Sequence, residues 1–301
     1  MKQLELLGAA AAAKGCRVQY GEPMDRHTTF KIGGPADVLI TVETVDGLRT
    51  VLEEVHRLEI PCHILGRGSN LLVSDDGIRG AVVLLSGEFS QCTVEGNTIT
   101  CGAAAPLSTL CRAAQEHSLT GLEFAWGIPG SVGGALFMNA GAYGSEMKNV
   151  VVSATHMTMD GQVHTVPLSA LELKYRHSVY HHLDAVILSL KVALQPGKLA
   201  DITAQMEDIF LRRKTKQPLE YPSAGSVFKR PEGHYAGALI EQCGLKGKRI
   251  GGAMVSEKHA GFIVNVGGAT CQDVLDLVAL IQETVQKETG VALECEIRPV
   301  G

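Results

Sequence analysis

Between Gly127 and Gly144 the chain reads GIPGSVGGALFMNAGAYG, in which six of eighteen residues are glycine and three are alanine. So little side chain leaves the backbone open to a ligand. Glycine also reaches positive φ, which lets successive N–H groups converge on an anion. The chemistry this suits is a backbone cradle for a phosphorylated cofactor. A flexible linker would be richer in serine and charge. This segment instead carries Ile128, Val132, Leu136, Phe137 and Met138, with Trp126 just ahead of it, and reads as buried and shaped.

A second glycine-rich element, Gly66-Arg67-Gly68-Ser69-Asn70-Leu71, follows the apolar run Cys62–Leu65. Its first two glycines fit the start of a G-x-G-x-x-G dinucleotide fingerprint, but Leu71 stands at the third position. Leu71, Leu72 and Val73, followed by Ser74-Asp75-Asp76-Gly77, read as a short strand and a turn where the fingerprint requires a helix. No G-x-x-x-x-G-K-[ST] run exists either. Two glycine-rich loops without a Rossmann helix point to another nucleotide-binding architecture.

Around these loops lies an ordinary globular composition. The 301 residues are 45% hydrophobic and 20% charged, enough for two or three units with real cores. A net charge of −5 argues against nucleic acid as a partner. Basic residues cluster only at 212–216 and 246–249, which suits either a phosphorylated small ligand or solvated helix ends. The eight cysteines have no C-x-x-C spacing and read as reduced core thiols of a cytosolic protein. Eleven histidines form no H-E-x-x-H, and His177, His181 and His182 read as a surface cluster, so no metal is expected. Leu6–Ala13 behind Lys2 has a weak likeness to a leader. Glu5 interrupts it, however, and its alanines favour a helix. No run approaches the ~18 apolar residues of a membrane span, and the expected location is the cytoplasm.

The elements that must position the loops follow from periodicity. Val38–Val42 is a strand. Thr44 caps a helix with Leu48, Val51, Leu52, Val55 and Leu58 on one stripe, and a strand leads into Leu65. Ala81–Leu85 is another strand, and Cys92–Cys101 a hairpin around Glu95-Gly96-Asn97. Leu107, Leu110, Cys111 and Ala114 mark a helix ahead of the cradle. Strands follow from Val150 to Leu194, with a turn at Asp160-Gly161. A helix from Asp201 to about Lys214 leads to a last unit with helices near 236–243 and after Thr270. That last helix ends at Gly290. The segment Val291–Arg298 alternates as a final strand. Its polar face, Glu294, Glu296 and Arg298, suits either solvent or a cleft.

Taken together, Thr28-Thr29-Phe30-Lys31-Ile32-Gly33-Gly34, Gly66–Asn70, the Gly127–Gly144 cradle, Tyr175-Arg176-His177-Ser178, Lys216-Gln217-Pro218, Ser223–Lys229 and Leu293–Arg298 resemble the UDP-N-acetylenolpyruvoylglucosamine reductase family. Each stretch is weak alone; in this order, nearly end to end, they are specific. The resemblance implies an α+β fold: a two-subdomain FAD-binding module of the vanillyl-alcohol-oxidase (PCMH) type, then an α+β substrate-binding domain. The expected division is 30–195, split near residue 90, and 200–301, with the last strand returning to the first subdomain.

The resemblance also assigns roles. Non-covalent FAD would be held by Gly66, Arg67, Gly68, Ser69, Asn70 and Leu71 and by Gly130, Ser131, Gly133, Gly134, Asn139, Gly141, Ala142 and Gly144. NADPH is the co-substrate, and hydride passes through the flavin to the terminal carbon of the enolpyruvyl ether. Arg176 and Glu296 would stabilise charge spreading into the substrate carboxylate, with Glu296 protonated to donate, and Ser226 would protonate C2. Tyr175, Lys216 and Arg230 would bind substrate. The chain departs from the family pattern at His27, where asparagine is common, and at Arg230, where some members have asparagine. The interval from Arg176 to Lys216 is that of the shorter subclass, without an extra tyrosine loop. A monomer acting on small molecules, with no nucleic acid and no membrane, is expected. The rival readings are another FAD-dependent oxidoreductase of this fold and a non-catalytic nucleotide-binding protein.

Overall fold

The computed structural model describes residues 2–301. In chain order the main elements of the N-terminal half are α1 (Lys2–Ala13), β1 (Arg17–Pro23), β2 (Pro35–Val42), α2 (Val45–Arg57), β3 (Cys62–Leu65), β4 (Leu71–Val73), β5 (Ile78–Leu85), β6 (Cys92–Glu95), β7 (Thr98–Gly102), α3 (Leu107–Glu116) and α4 (Val132–Phe137). There follow β8 (Val151–Thr158), β9 (Val163–Pro167), β10 (Ala185–Ala193), α5 (Leu199–Lys216), α6 (Ala236–Gln242), β11 (Arg249–Ile250), β12 (Ala253–Val255), β13 (Ile263–Asn265), α7 (Cys271–Thr289) and β14 (Arg298–Val300). Contacts divide the chain into two units, Met1–Tyr20, Val38–Arg67 and Gly80–Arg212 in the first and Gly21–Asp37, Gly68–Arg79 and Arg213–Gly301 in the second. Two short N-terminal pieces therefore belong with the C-terminal third.

The first unit is built on two sheets. Strand order β1-β2-β5-β3 forms one, with β3 and β5 parallel. The side chain of Thr44 accepts from Gly47 N at 3.1 Å and starts α2, whose Leu48, Val51, Leu52 and Val55 are buried as their spacing predicts. The other sheet is antiparallel, β9-β8-β10-β7-β6. Its β6–β7 hairpin closes at Glu95 opposite Thr98, with Gly96 at φ 58 in the turn. Leu107, Leu110, Cys111 and Ala114 bury one face of α3. A single apolar core runs through both sheets and these helices.

The second unit has its own core, in which Phe30, Ile32 and Leu72 join Val227, Phe228, Ile240, Val274, Leu277, Ile281 and Ile297. Its sheets are β11-β12-β13 and the parallel pair β4–β14. Thr270 and Asp273 form a capping box on α7, and the Asp75 carboxylate accepts from Cys271 N and Gln272 N at 2.8 and 3.1 Å. Four donors at the end of this helix are thus satisfied by side chains. Gly290 ends α7 at φ 74. No described helix is long and apolar enough to cross a membrane.

Two expectations need correction. The segment 291–298 alternates in burial, Leu293 and Ile297 inward and Glu294 and Arg298 outward, but it is not one strand. It makes an isolated bridge between Cys295 and Phe228, and regular pairing begins only at Arg298. The cradle, read as loop throughout, contains the six-residue helix α4.

Candidate active site

The cradle is hung on the segment between β7 and α3. Val132 N and Gly133 N donate to Ala105 O and Ala103 O, both at 2.9 Å, and Leu107 N donates to Gly130 O at 3.0 Å. Ser131 starts α4, its hydroxyl accepting from Gly134 N at 3.1 Å. The first glycine loop meets the cradle here. A Cβ on Gly66 would lie 2.6 Å from the Ser131 hydroxyl and would displace it from its capping position. At Gly133 a Cβ would come within 2.8 Å of the Ala103 side chain, whereas at the exposed Gly134 it would meet only the Ser131 hydroxyl, at 3.3 Å. The first unit thus joins two glycine-rich loops at Gly66 and Ser131 and leaves an open backbone face at Gly134. These residues fit a dinucleotide phosphate group such as that of FAD on space and backbone character. Beyond α4, the short hairpin of Gly141 and Ala142 with Ser145 and Glu146 ends the cradle, with Gly144 in its turn.

Arg176 sits at the tip of a tight turn in the same unit. Lys174 and His177 exchange both backbone hydrogen bonds, each 3.1 Å, and Arg176 has φ 53. Its guanidinium lies 5.1 Å from the ring centre of Tyr175, which is half exposed. Two buried side chains tie the turn to the cradle. Ser178 Oγ donates to Phe137 O at 2.7 Å, and Asn139 Nδ2 donates to Lys174 O at 3.0 Å. His177 stacks on His181 at 5.0 Å between ring centres, and His181 packs on Phe137 at 4.3 Å. The histidine group is therefore packed against the cradle, with only His182 exposed, rather than lying loose on the surface.

Ser226 and Glu296 come together in the second unit. Glu296 N donates to Val227 O at 2.7 Å, and Lys229 N to Glu294 O at 2.8 Å. The end of the first glycine loop joins them, since Asn70 Nδ2 donates to Glu296 O at 3.1 Å and Arg298 N to Asn70 O at 2.9 Å. Behind Ser226, Phe262 forms a bridge, and Val227 N donates to Gly261 O at 2.9 Å. Gly261 N in turn donates to the ring of His259 at 3.1 Å. Burial pushes the His259 pKa down, Lys246 adds to this, and a backbone hydrogen bond and Glu241 oppose it. A neutral ring with an acceptor nitrogen facing Gly261 is the result.

The expected site residues therefore fall into two groups. Gly66, Arg67, the cradle residues, Tyr175 and Arg176 lie in the first unit, and Gly68, Ser69, Asn70, Leu71, Lys216, Ser226, Arg230 and Glu296 in the second. Lys216 is exposed near the end of α5. Arg230, also exposed, lies 4.0 Å from the Tyr235 ring centre. Asn139 has no exposed surface, so its amide faces protein rather than the cradle's ligand side. Sequence reasoning passed over Ser178, Thr29 and His259. Thr29 Oγ1 donates to Ser223 O at 2.7 Å, and its backbone N donates to Gly68 O, linking the Ser226 segment to the glycine loop. For Thr29 and Ser178 the signal was present in Thr28–Gly34 and Tyr175–Ser178, where they accompany residues with evident chemistry, whereas His259 lies in neither stretch.

Comparison with known proteins finds two family matches along the chain, and the first of them includes Gly68–Leu71, which pack with the second unit. Residues 36–167 match the family described as FAD binding domain, and 217–300 the one described as UDP-N-acetylenolpyruvoylglucosamine reductase, C-terminal domain. The chain is 49% identical to the UDP-N-acetylenolpyruvoylglucosamine reductase of Alkaliphilus oremlandii, covering 94% of this chain and 93% of that protein. To the enzyme of the same name from Levilactobacillus brevis it is 47% identical, covering 97% and 96%. The crystal structure of the Thermus caldophilus UDP-N-acetylenolpyruvylglucosamine reductase superposes with a TM-score of 0.83 at 38% identity, over 95% of this chain and all of that one. A glucose dehydrogenase, Phl p 4.0202, shares the fold alone, with a TM-score of 0.51 at 14% identity over 97% of this chain and 64% of that one. The chain belongs to the UDP-N-acetylenolpyruvoylglucosamine reductase family.

Proposed function

We propose that this chain is the reductase that converts UDP-N-acetylglucosamine enolpyruvate to UDP-N-acetylmuramate with NADPH, for peptidoglycan precursor synthesis in the cytoplasm. It acts as a monomer on small molecules, with no nucleic acid or membrane partner. FAD, when bound by 66–71 and the cradle, would supply the redox chemistry that links NADPH to the enolpyruvyl group. Residues 30–195 serve the flavin and 200–301 the substrate.

The chain's own residues do the rest. Backbone groups of 66–71 and of the cradle hold the phosphates. Arg176 offers its guanidinium to the substrate carboxylate, and Glu296, protonated, donates a hydrogen bond there. Both act on charge that develops at C2 and spreads into the carboxylate, which is where stabilisation accelerates the step. Ser226 gives its hydroxyl proton to C2. Tyr175, Lys216 and Arg230 bind the nucleotide-sugar. The observation that carries this reading is the bond from Glu296 N to Val227 O, which fixes the proposed hydrogen-bond donor one residue from the proposed acid. Family membership supports it and disfavours a non-catalytic binder.

Ser226→Ala tests the assignment. Loss of a general acid costs about 10²–10⁴ in rate. The variant is expected to retain flavin and to be reduced by NADPH at the wild-type rate, while reoxidation by the enolpyruvyl substrate slows by at least the lower figure. Stopped-flow absorbance separates the half-reactions. Equal slowing of both would make Ser226 a structural residue of the Gly225 turn, and slowing of neither would transfer the acid role to another group.

A further inference from the structure

We propose that Asn139 and Ser178 are positioning residues which fix the Arg176 turn to the glycine cradle, so that the guanidinium is held in place by the same element that holds the flavin. This rests on the reading of Arg176 as a carboxylate-binding group. Both side chains have no exposed surface, and both spend their hydrogen bonds within the protein. Asn139 holds one side of the turn through Lys174 O, at 3.0 Å. Its other amide atom, Oδ1, accepts from Lys148 N at 2.9 Å, which locks the plane of the amide. On the far side of the turn, Ser178 Oγ reaches Phe137 O at 2.7 Å, in the last residue of α4.

The two pins bracket Tyr175, Arg176 and His177, and the backbone bonds between Lys174 and His177 close that interval. Shifting the tip would strip the buried Asn139 amide or Ser178 hydroxyl of its partner, which is costly. Asn139 adopts φ 43, a region that asparagine and aspartate tolerate better than other residues. That suits an asparagine whose amide is turned to Lys174 and Lys148.

Asn139→Asp isolates the pin. It keeps the size, the backbone tolerance and the acceptor for Lys148 N, and puts an oxygen where the donor to Lys174 O stood. Flavin content and the rate of reduction by NADPH are expected to match wild type. Calorimetric affinity for UDP-N-acetylmuramate and the rate of reoxidation by the enolpyruvyl substrate are both expected to fall, by up to about 10²-fold, the effect of a misplaced catalytic group. In a double-mutant cycle, Asn139→Asp should add little to Arg176→Ala.

If Arg176→Ala leaves product affinity and reoxidation unchanged, the reading of Arg176 fails and the inference falls with it. If Arg176→Ala impairs both while Asn139→Asp matches wild type, only the positioning role is overturned. Loss of flavin from Asn139→Asp would return that residue to cofactor binding and overturn the proposal as well. Ser178→Ala, which cuts the other pin without adding charge, is carried through the same measurements. It decides the matter if the aspartate variant does not fold.

Discussion

Glu296 has its backbone held from two sides, through its own N–H to Val227 O and through its carbonyl, which accepts from Asn70. Side-chain substitution there changes chemistry while these two backbone bonds stay in place. If the carboxyl acts as a neutral donor, Glu296→Gln is expected to be milder than Glu296→Ala in the reoxidation rate, since an amide still donates. Equal loss in both would favour a charged or proton-transferring carboxylate. Ser226, Arg176 and Glu296 were singled out through the family motifs that surround them, since a lone serine in a glycine-rich turn reads as a turn residue. Where a side chain points was not readable in the sequence. Asn139 stands in the middle of a cofactor-like motif, yet its amide turns inward to Lys174 and Lys148, and no pattern of neighbours encodes that turn.

The elements were readable where burial repeats with a helical or strand period, as in α2, α3 and α7. They were hidden where a partner decides the outcome. Residues 291–298 alternate because one side is buried, but alternation does not name the strand that pairs with them, and only β14 finds regular pairing with β4. Helix α4 was hidden for another reason: its Gly133 and Gly134 are poor helix formers, and the Ser131 cap and the bonds to Ala103 and Ala105 hold it. These two glycines separate stability from binding. Gly133→Ala forces a Cβ against Ala103 and is expected to lower the melting temperature of the flavin-free protein. Gly134→Ala gains helix propensity, up to about 1 kcal/mol, against a 3.3 Å contact with the capping Ser131 hydroxyl, which must shift by a few tenths of an ångström, so its melting temperature should fall less than that of Gly133→Ala while flavin affinity falls. Full flavin affinity in Gly134→Ala would remove that residue from the cradle's ligand face.

At the scale of the whole molecule, two non-contiguous units each carry a core, and the pieces 21–37 and 68–79 join the C-terminal unit through Phe30, Ile32 and Leu72. Such long-range membership leaves no local trace in a sequence, since an apolar residue shows that it will be buried and not beside what. Burial lowers the pKa of His63 in the first unit, and each unit also holds a histidine that is both lowered chiefly by burial and engaged by a ring hydrogen bond. In the first unit it is His156, which bonds to the Tyr180 hydroxyl at 3.1 Å and is lowered further by His164. In the second it is His259, facing Lys246 and Glu241 and accepting from Gly261 N. In the unfolded chain both would titrate near the ordinary value of about 6.5. The unfolded state therefore binds more protons as the pH drops past that value, and stability present above it is lost as the pH falls towards the lower folded pKa values. The melting temperature is expected to decrease between about pH 7.5 and 5.5, above the range in which carboxylates titrate. Glutamine cannot take up a proton, yet offers an acceptor to Gly261 N. The double variant His156→Gln, His259→Gln should therefore start from a lower melting temperature but lose less of it over the same interval. An equally steep loss in the double variant would place the acid sensitivity elsewhere in the chain.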